Sequence, residues 1–445
     1  MNSILKKIRQ SDAFNKENRN LYTKAVLLMS LFTFTFLGAE FLFVDMISRI
    51  VSGNQSVSAQ NYALGISVIG FVLYPLFCRI CKGKLQSAVT MCAAILSVVC
   101  LFLICRCSTY TLTMGMGLLL FLILGAFGSA VFCKSLCLLE DNTYLARLVG
   151  ISYMLGALLQ IANNNLVHTV TFEAGILSAI ILLLAFTLVR SENNGIIPAF
   201  SKEKTNEDSG ENGNGSLKIA VILIIFVALL TCIFSTLDNA VTLYHANGAV
   251  NIGQWPRILL ALSGLLAGFL FDIACRKYMS MIMYCVMILS TICLVVLEFA
   301  EPFTVGLIIF YLSAGFFAVF FTASFMEIAQ YTKMPELWAG LGRAVNNLVA
   351  AAITGGSLAL LNSGNNIAIT TIELILFVLA SVAAFIYTNM RRSFFEKLDA
   401  KDRIKSSNSE RLQKLSFICL SPFKSIIGMP MDDTSHPSYC SITFI

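Results

Sequence analysis

The sequence predicts an all-α polytopic membrane protein: twelve transmembrane helices in two pseudo-symmetric six-helix bundles, with both termini cytoplasmic. Three observations predict it. First, 57% of the residues are hydrophobic, only 13% are charged, and mean hydropathy is +0.79, whereas a soluble domain carries about 25% charge. Second, apolar stretches of roughly 20 residues recur, each long enough to cross a ~30 Å hydrocarbon core at about 1.5 Å per residue. Third, lysine and arginine gather on alternate connections. A β-barrel would instead alternate apolar and polar residues over ~10-residue segments, a pattern this chain lacks.

The elements follow in order. Segment 1–24, opening MNSILKKIRQ, is polar and basic and lacks a small-residue cleavage site after a short apolar core. It reads as a cytoplasmic segment, and the first span does the targeting. Apolar spans are expected at about 25–47, 59–79, 87–106, 113–138, 144–167 and 170–190, forming a first bundle over 25–190. A second set, at about 217–238, 253–272, 279–299, 303–328, 339–361 and 367–389, forms a second bundle over 217–389. Between them, residues 191–216 are rich in Asn, Gly, Ser and charge. They cannot bury a core and read as a flexible cytoplasmic linker. In the tail, 390–445, the stretch RRSFFEKLDAKDRIKSSNSERLQKL suits an amphipathic helix at the membrane surface, and the remainder reads as disordered.

With the N-terminus inside, Lys6, Lys7, Arg9, Lys16, Arg19, Lys24, Arg79, Lys82, Lys84, Arg276, Lys277, Arg391 and Arg392 are cytoplasmic. Arg49, Arg106 and Arg257 are the exceptions on the outer side. This placement explains the net charge of +6 without nucleic acid as a partner. Most of the 14 cysteines sit in apolar runs, where free cysteine acts as a small hydrophobe. Cys78 and Cys81 form a CxxC with no second pair at zinc-ligand spacing, so no metal site is expected. There is no GxxxxGK[ST], HExxH or GxSxG motif. Neither ATP-driven work nor an enzyme is expected, and no cofactor.

The halves repeat one another. LYPLFCRICKGK (73–84) overlays AGFLFDIACRKY (267–278), and LARLVG (145–150) overlays GLGRAVN (341–347), aligning Arg147 with Arg343. Matching features in two six-helix halves are a signature of duplicated transporters. The stretch GFLFDIACRK resembles the GxLaDRxGRK motif of the major facilitator superfamily, found after its second helix and more weakly after its eighth. Gly268, Leu270, Asp272, Arg276 and Lys277 match; Cys275 stands where that family has glycine, and in the first half Cys78 takes the acid's place. PELWAGLGRAVNN (335–347) resembles that family's entry to helix eleven. The resemblance implies a secondary active transporter of the cell membrane, expected in a bacterium. It would move a small organic solute by alternating access, coupled to a proton or other ion, with efflux as the expected direction. A monomer in the lipid bilayer is expected. The alternative is a ligand-sensing membrane protein with a transporter-like bundle that signals through its tail.

Charges inside a bilayer cost roughly 2.5–3.5 kcal/mol on insertion scales and point to function. Glu40 in FLGAEFLF and Asp238 in FSTLDNAV hold equivalent places in the two halves. Either they line a cavity and one exchanges a proton, or Asp238 caps the outer headgroup zone with Asp45 and Arg257. Lys134 either snorkels to the interface or points inward to an anion or to Glu140, with Glu327 as its counterpart. Gln160 is the cavity candidate of the fifth helix, whose Asn163, Asn164 and Asn165 read as its end. Glu40, Asp238, Gln160 and Lys134 thus form the expected substrate-binding or proton-coupling set. A conformational latch is expected from Asp272, Arg276, Lys277, Arg147, Arg343, Asn346 and Asn347. In it Asp272 meets Arg147 where the fifth helix begins, an end that attracts acids, while Cys78 offers Arg343 nothing comparable. Asn346 and Asn347, expected one turn from the cytoplasmic end, suit gating or substrate contact. Gly117, Gly125, Gly128, Gly355 and Gly356 suit close helix packing. The scarcity of mid-membrane bases favours a neutral or cationic solute.

Overall fold

The computed structural model describes residues 16–139, 144–167, 169–193, 211–246, 248, 256–299 and 303–426. Within them lie twelve helices and no strand. They are α1 (Lys16–Ser48), α2 (Gly53–Ile80), α3 (Lys84–Arg106), α4 (Tyr110–Cys137), α5 (Leu145–Leu166) and α6 (Val170–Asn193), then α7 (Glu211–Ala246), α8 (Pro256–Phe271), α9 (Met279–Phe299), α10 (Phe303–Ala329), α11 (Pro335–Asn362) and α12 (Asn366–Ile426). Ten are long and apolar enough to cross a membrane; α8, with 16 residues, and the 279–292 part of α9 are shorter. Helices suit this setting because each satisfies its own backbone hydrogen bonds.

The chain forms two compact units, Met1–Met390 and Arg391–Ile445. In the second, α12 is helical as far as Ile426, well past the stretch expected to be ordered. Arg392 there pairs with Glu396 at 2.8 Å on an exposed face. Of the expected linker, 194–210 lies outside the described residues, as do 1–15 and 427–445. Its edges are helical instead, since α6 runs to Asn193 and α7 begins at Glu211.

In the first unit two helix pairs join the first six helices to the last six: α2 packs on α11, and α5 on α8. Small residues set how near the α5–α8 pair comes. A Cβ added at Gly150 would lie 2.6 Å from the Gly264 carbonyl oxygen and 2.7 Å from the Gly268 Cα. Gly125 meets the Ser67 backbone, Gly117 the Phe43 ring, and Gly128 the Phe32 and Phe71 rings. Gly355 and Gly356 do not follow the expectation: a Cβ on either would meet open space.

The segment after α8 is unusual. Ala274, Cys275 and Arg276 have φ of 51°, 53° and 66°. Three consecutive residues with side chains in the left-handed region cost roughly 1–2 kcal/mol each. This reversal turns Arg276 back into the protein, where it is buried, while Lys277 beside it is exposed.

Candidate functional site

Between the two sets of helices lies a cavity of about 160 Å³. Four charged side chains line it: Glu40 from α1, Asp238 from α7, Arg257 from α8 and Arg343 from α11. Gln60 donates through Nε2 to Glu40 Oε1 at 2.7 Å, fixing that carboxylate. Arg257 is buried, with its guanidinium 5.4 Å from the Phe41 ring centre and donating to Gln160 Oε1 at 2.5 Å. Arg343 lies against two aromatic faces, 4.7 Å from the centre of Phe36 and 5.9 Å from that of Phe321. Rings suit a guanidinium because their faces are electron-rich, an attraction that strengthens away from water. Amides line one side. Asn61 donates to Asn239 Oδ1 at 2.7 Å, Asn239 to Ser357 Oγ at 3.2 Å, and Asn347 to Ser67 Oγ at 2.9 Å. Phe234 and Phe317 stack at 4.6 Å and form an apolar wall.

One end of the bundle is closed by a carboxylate. Asp272, just beyond α8, accepts the backbone N–H groups of Ala146 at 3.1 Å and Arg147 at 2.8 Å. These are free donors of the first turn of α5, whose own N-cap, Tyr144, makes no side-chain cap bond. Asp272 therefore caps a helix of the other half. Arg147 Nε approaches the same carboxylate at 3.7 Å and Arg276 at 3.4 Å, and Arg276 Nε donates to Glu327 of α10 at 2.8 Å. Burial pushes the Asp272 carboxyl above its ordinary value, against the opposing pull of the backbone donors and the two arginines. Burial pulls the Arg276 pKa down, but Glu327 and Asp272 outweigh it and leave the guanidinium above its ordinary value.

The α2–α11 junction is built differently. Phe71 of α2 lies against Gly340, and Ser129 of the neighbouring α4 donates to the Glu336 carbonyl at 2.9 Å. Gln86 Nε2 lies 3.9 Å from the Cys78 sulfur.

The expected residues are thus redistributed. Glu40, Asp238, Arg343, Asn346 and Asn347 line the cavity, whereas Gln160 and Lys134 do not. Gln160 is fully buried, bonded to the Leu37 carbonyl and to Arg257, so it positions a cavity arginine. Lys134 donates to the Leu188 carbonyl at 2.5 Å, and Glu327 belongs to Arg276 instead. Arg343, Asn346 and Asn347 sit deeper than expected because α11 begins at Pro335, a residue preorganised for a first helical turn. Arg343 is therefore two turns in and Asn346 three. Lys277 is exposed and stands outside the Asp272 cluster. Asn163, Asn164 and Asn165 do fall in the last turn of α5, where the Val167 N–H donates to the Asn163 carbonyl, and the Asn163 side chain is buried. Glu140 and His168 lie outside the described residues. Gln60, Asn61 and Arg257 fall near the ends of the expected spans, where polar residues are ordinary, so the sequence alone does not mark them as cavity residues. The scarcity of mid-membrane bases also fails as an expectation, since Arg257 and Arg343 both face the cavity.

No family model and no curated protein matches the sequence. Solved structures do. The E. coli fucose:proton symporter FucP aligns at TM-score 0.54 and 13% identity, covering 83% of this chain and 98% of its own, and one of its structures is in the outward conformation. The human organic anion transporter MFSD10 aligns at TM-score 0.53 and 12% identity, covering 83% and 99%. The fold is that of the major facilitator superfamily. FucP and MFSD10 are both described as transporters.

Proposed function

We propose that this protein is a secondary active transporter that carries a small organic solute across the cell membrane by alternating access, coupled to protons, with efflux as its direction. All twelve helices then span the membrane in two bundles, 25–190 and 217–389. The Asp272 end faces the cytoplasm, as the lysine and arginine distribution favours. The observation that carries the reading is the charged cavity between the two sets of helices, bounded at one end by Asp272 on α5. A solute site at the junction of two repeats is where rocking of one half against the other exposes it to each side in turn. Glu40 is the proton carrier of this reading, and the contacts of Asp272 hold the outward-facing state. FucP, which shares this fold, is described as a fucose:proton symporter, and this supports the choice of proton coupling.

The test is solute-driven proton movement. Protein-containing liposomes with a pH dye inside are given a panel of small organic solutes. At least one solute should move protons in these and not in empty liposomes, and Glu40→Gln should abolish proton movement. A panel that moves no protons, with solute uptake also absent, defeats the reading.

A further inference from the structure

The cavity charges are not equivalent, and the difference specifies an occupant. Arg257 is bonded to Gln160, and Glu40 accepts from Gln60. Among the described residues, neither Arg343 nor Asp238 makes a hydrogen bond or an ion pair within 4 Å, yet both line the cavity. Arg343 keeps all its guanidinium donors, with only aromatic faces against it. A guanidinium in that state matches a carboxylate, which it can bind through two parallel bonds. Its position is fixed by Phe36, and Glu40 lies one helical turn farther along α1, about 6 Å at 1.5 Å per residue. Asp238 lies at a similar depth to Glu40, since Gln60 of α2 bonds Glu40 and its neighbour Asn61 bonds Asn239, next to Asp238. The cavity thus has Arg343 at one end and Glu40 and Asp238 toward the other, where Arg257 is already held by Gln160 and Phe41, with the Phe234–Phe317 stack as an apolar wall.

We propose that the cavity binds a small zwitterion lengthwise, its carboxylate on Arg343 and its ammonium between Glu40 and Asp238, with the aliphatic spacer against the aromatic wall. This rests on the transporter reading of the same cavity and names the class of solute. A zwitterion adds no net charge to a site that already carries two acids and two bases. Size agrees: a cavity of about 150 Å³ accommodates benzene, so about 160 Å³ suits a solute of similar bulk.

The test uses the purified full chain and the ω-amino acids from 3-aminopropanoate to 6-aminohexanoate, with pentanoate and pentylamine as single-charge controls. Binding is measured by calorimetry. At least one zwitterion should bind tenfold or more tighter than either control. Arg343→Gln should bring its affinity down to that of pentylamine, and replacing both Glu40 and Asp238 with amides should bring it to that of pentanoate. Equal binding of all ligands, tighter binding of pentanoate (an organic-anion site), tighter binding of pentylamine, or no binding by any zwitterion overturns the proposal. Flux in liposomes separates the two readings. A zwitterion that binds but never crosses defeats the transporter and leaves the site. Flux of other solutes without zwitterion binding defeats the site alone.

Discussion

Asp272 caps α5 from across the junction: its carboxylate accepts the N–H of Arg147 at 2.8 Å, while the residue that opens α5 contributes no cap of its own. The helix end and its acid therefore belong to different halves. Separating the halves at this end would break the cap, so in the transporter proposed above the contact belongs to one of two conformations. Losing such a cap costs about 1 kcal/mol, which is about a fivefold change in a two-state ratio. Asp272→Asn keeps an acceptor but loses the charge that the helix terminus and two arginines attract. Spin-label distances between the α5 and α8 ends should show the separated population rising about fivefold, and an unchanged distribution would count against the cap as a clasp.

Close backbone approach makes a second, independent prediction. Gly150→Leu places a side chain where Gly264 and Gly268 now stand. The variant should fold, because α5 and α8 can part, but it should remain open at the Asp272 end and bind solute without carrying it. Normal transport by this variant would mean the two helices never need to meet so closely.

The Arg276–Glu327 pair is buried at both ends. Removing Glu327 takes the 2.8 Å bond from Arg276 and leaves it the longer 3.4 Å contact with Asp272, at a cost of up to about 3–5 kcal/mol. Glu327→Gln should lower the melting temperature strongly, and pairing Glu327→Leu with Arg276→Met should recover most of it. If the double variant melts no higher than the single one, the cost comes from elsewhere.

Cys275 has a φ of 53° and is exposed, so its side chain gives up little contact if removed. Glycine adopts this conformation at no steric cost. Cys275→Gly should stabilise the protein by about 1 kcal/mol, read as a raised melting temperature; a lowered one would place the cysteine side chain in a structural role.

Much of the fold was legible because hydropathy and charge act on long segments. Each of the twelve expected spans overlaps one helix, and LARLVG does open α5 at a junction, whereas GLGRAVN lies inside α11, past its start at Pro335. Single residues were harder. Arg257 reads as an outer-loop base until α8 is known to begin at Pro256 and to lie along α5, where Gln160 takes hold of it. Arg343 reads as a twin of Arg147, but two extra turns of α11 carry it from the junction into the cavity. A difference of a few residues in a helix start moves a side chain by several ångströms along the bundle, and sequence pattern fixes helix starts no better than that. The return of Arg276 to Glu327 depends on a left-handed turn built without glycine, which no propensity announces.

The measurement that tests the account most directly is the sidedness of access to the cavity. Ser235 lines it. A cysteine placed there, in a chain whose other reactive cysteines are removed, can be challenged from either side of the membrane with an impermeant maleimide. The account predicts labelling from the side opposite Asp272 in the parent, and at least a severalfold gain from the Asp272 side when Asp272→Asn is added. Identical sidedness in the two proteins would contradict it.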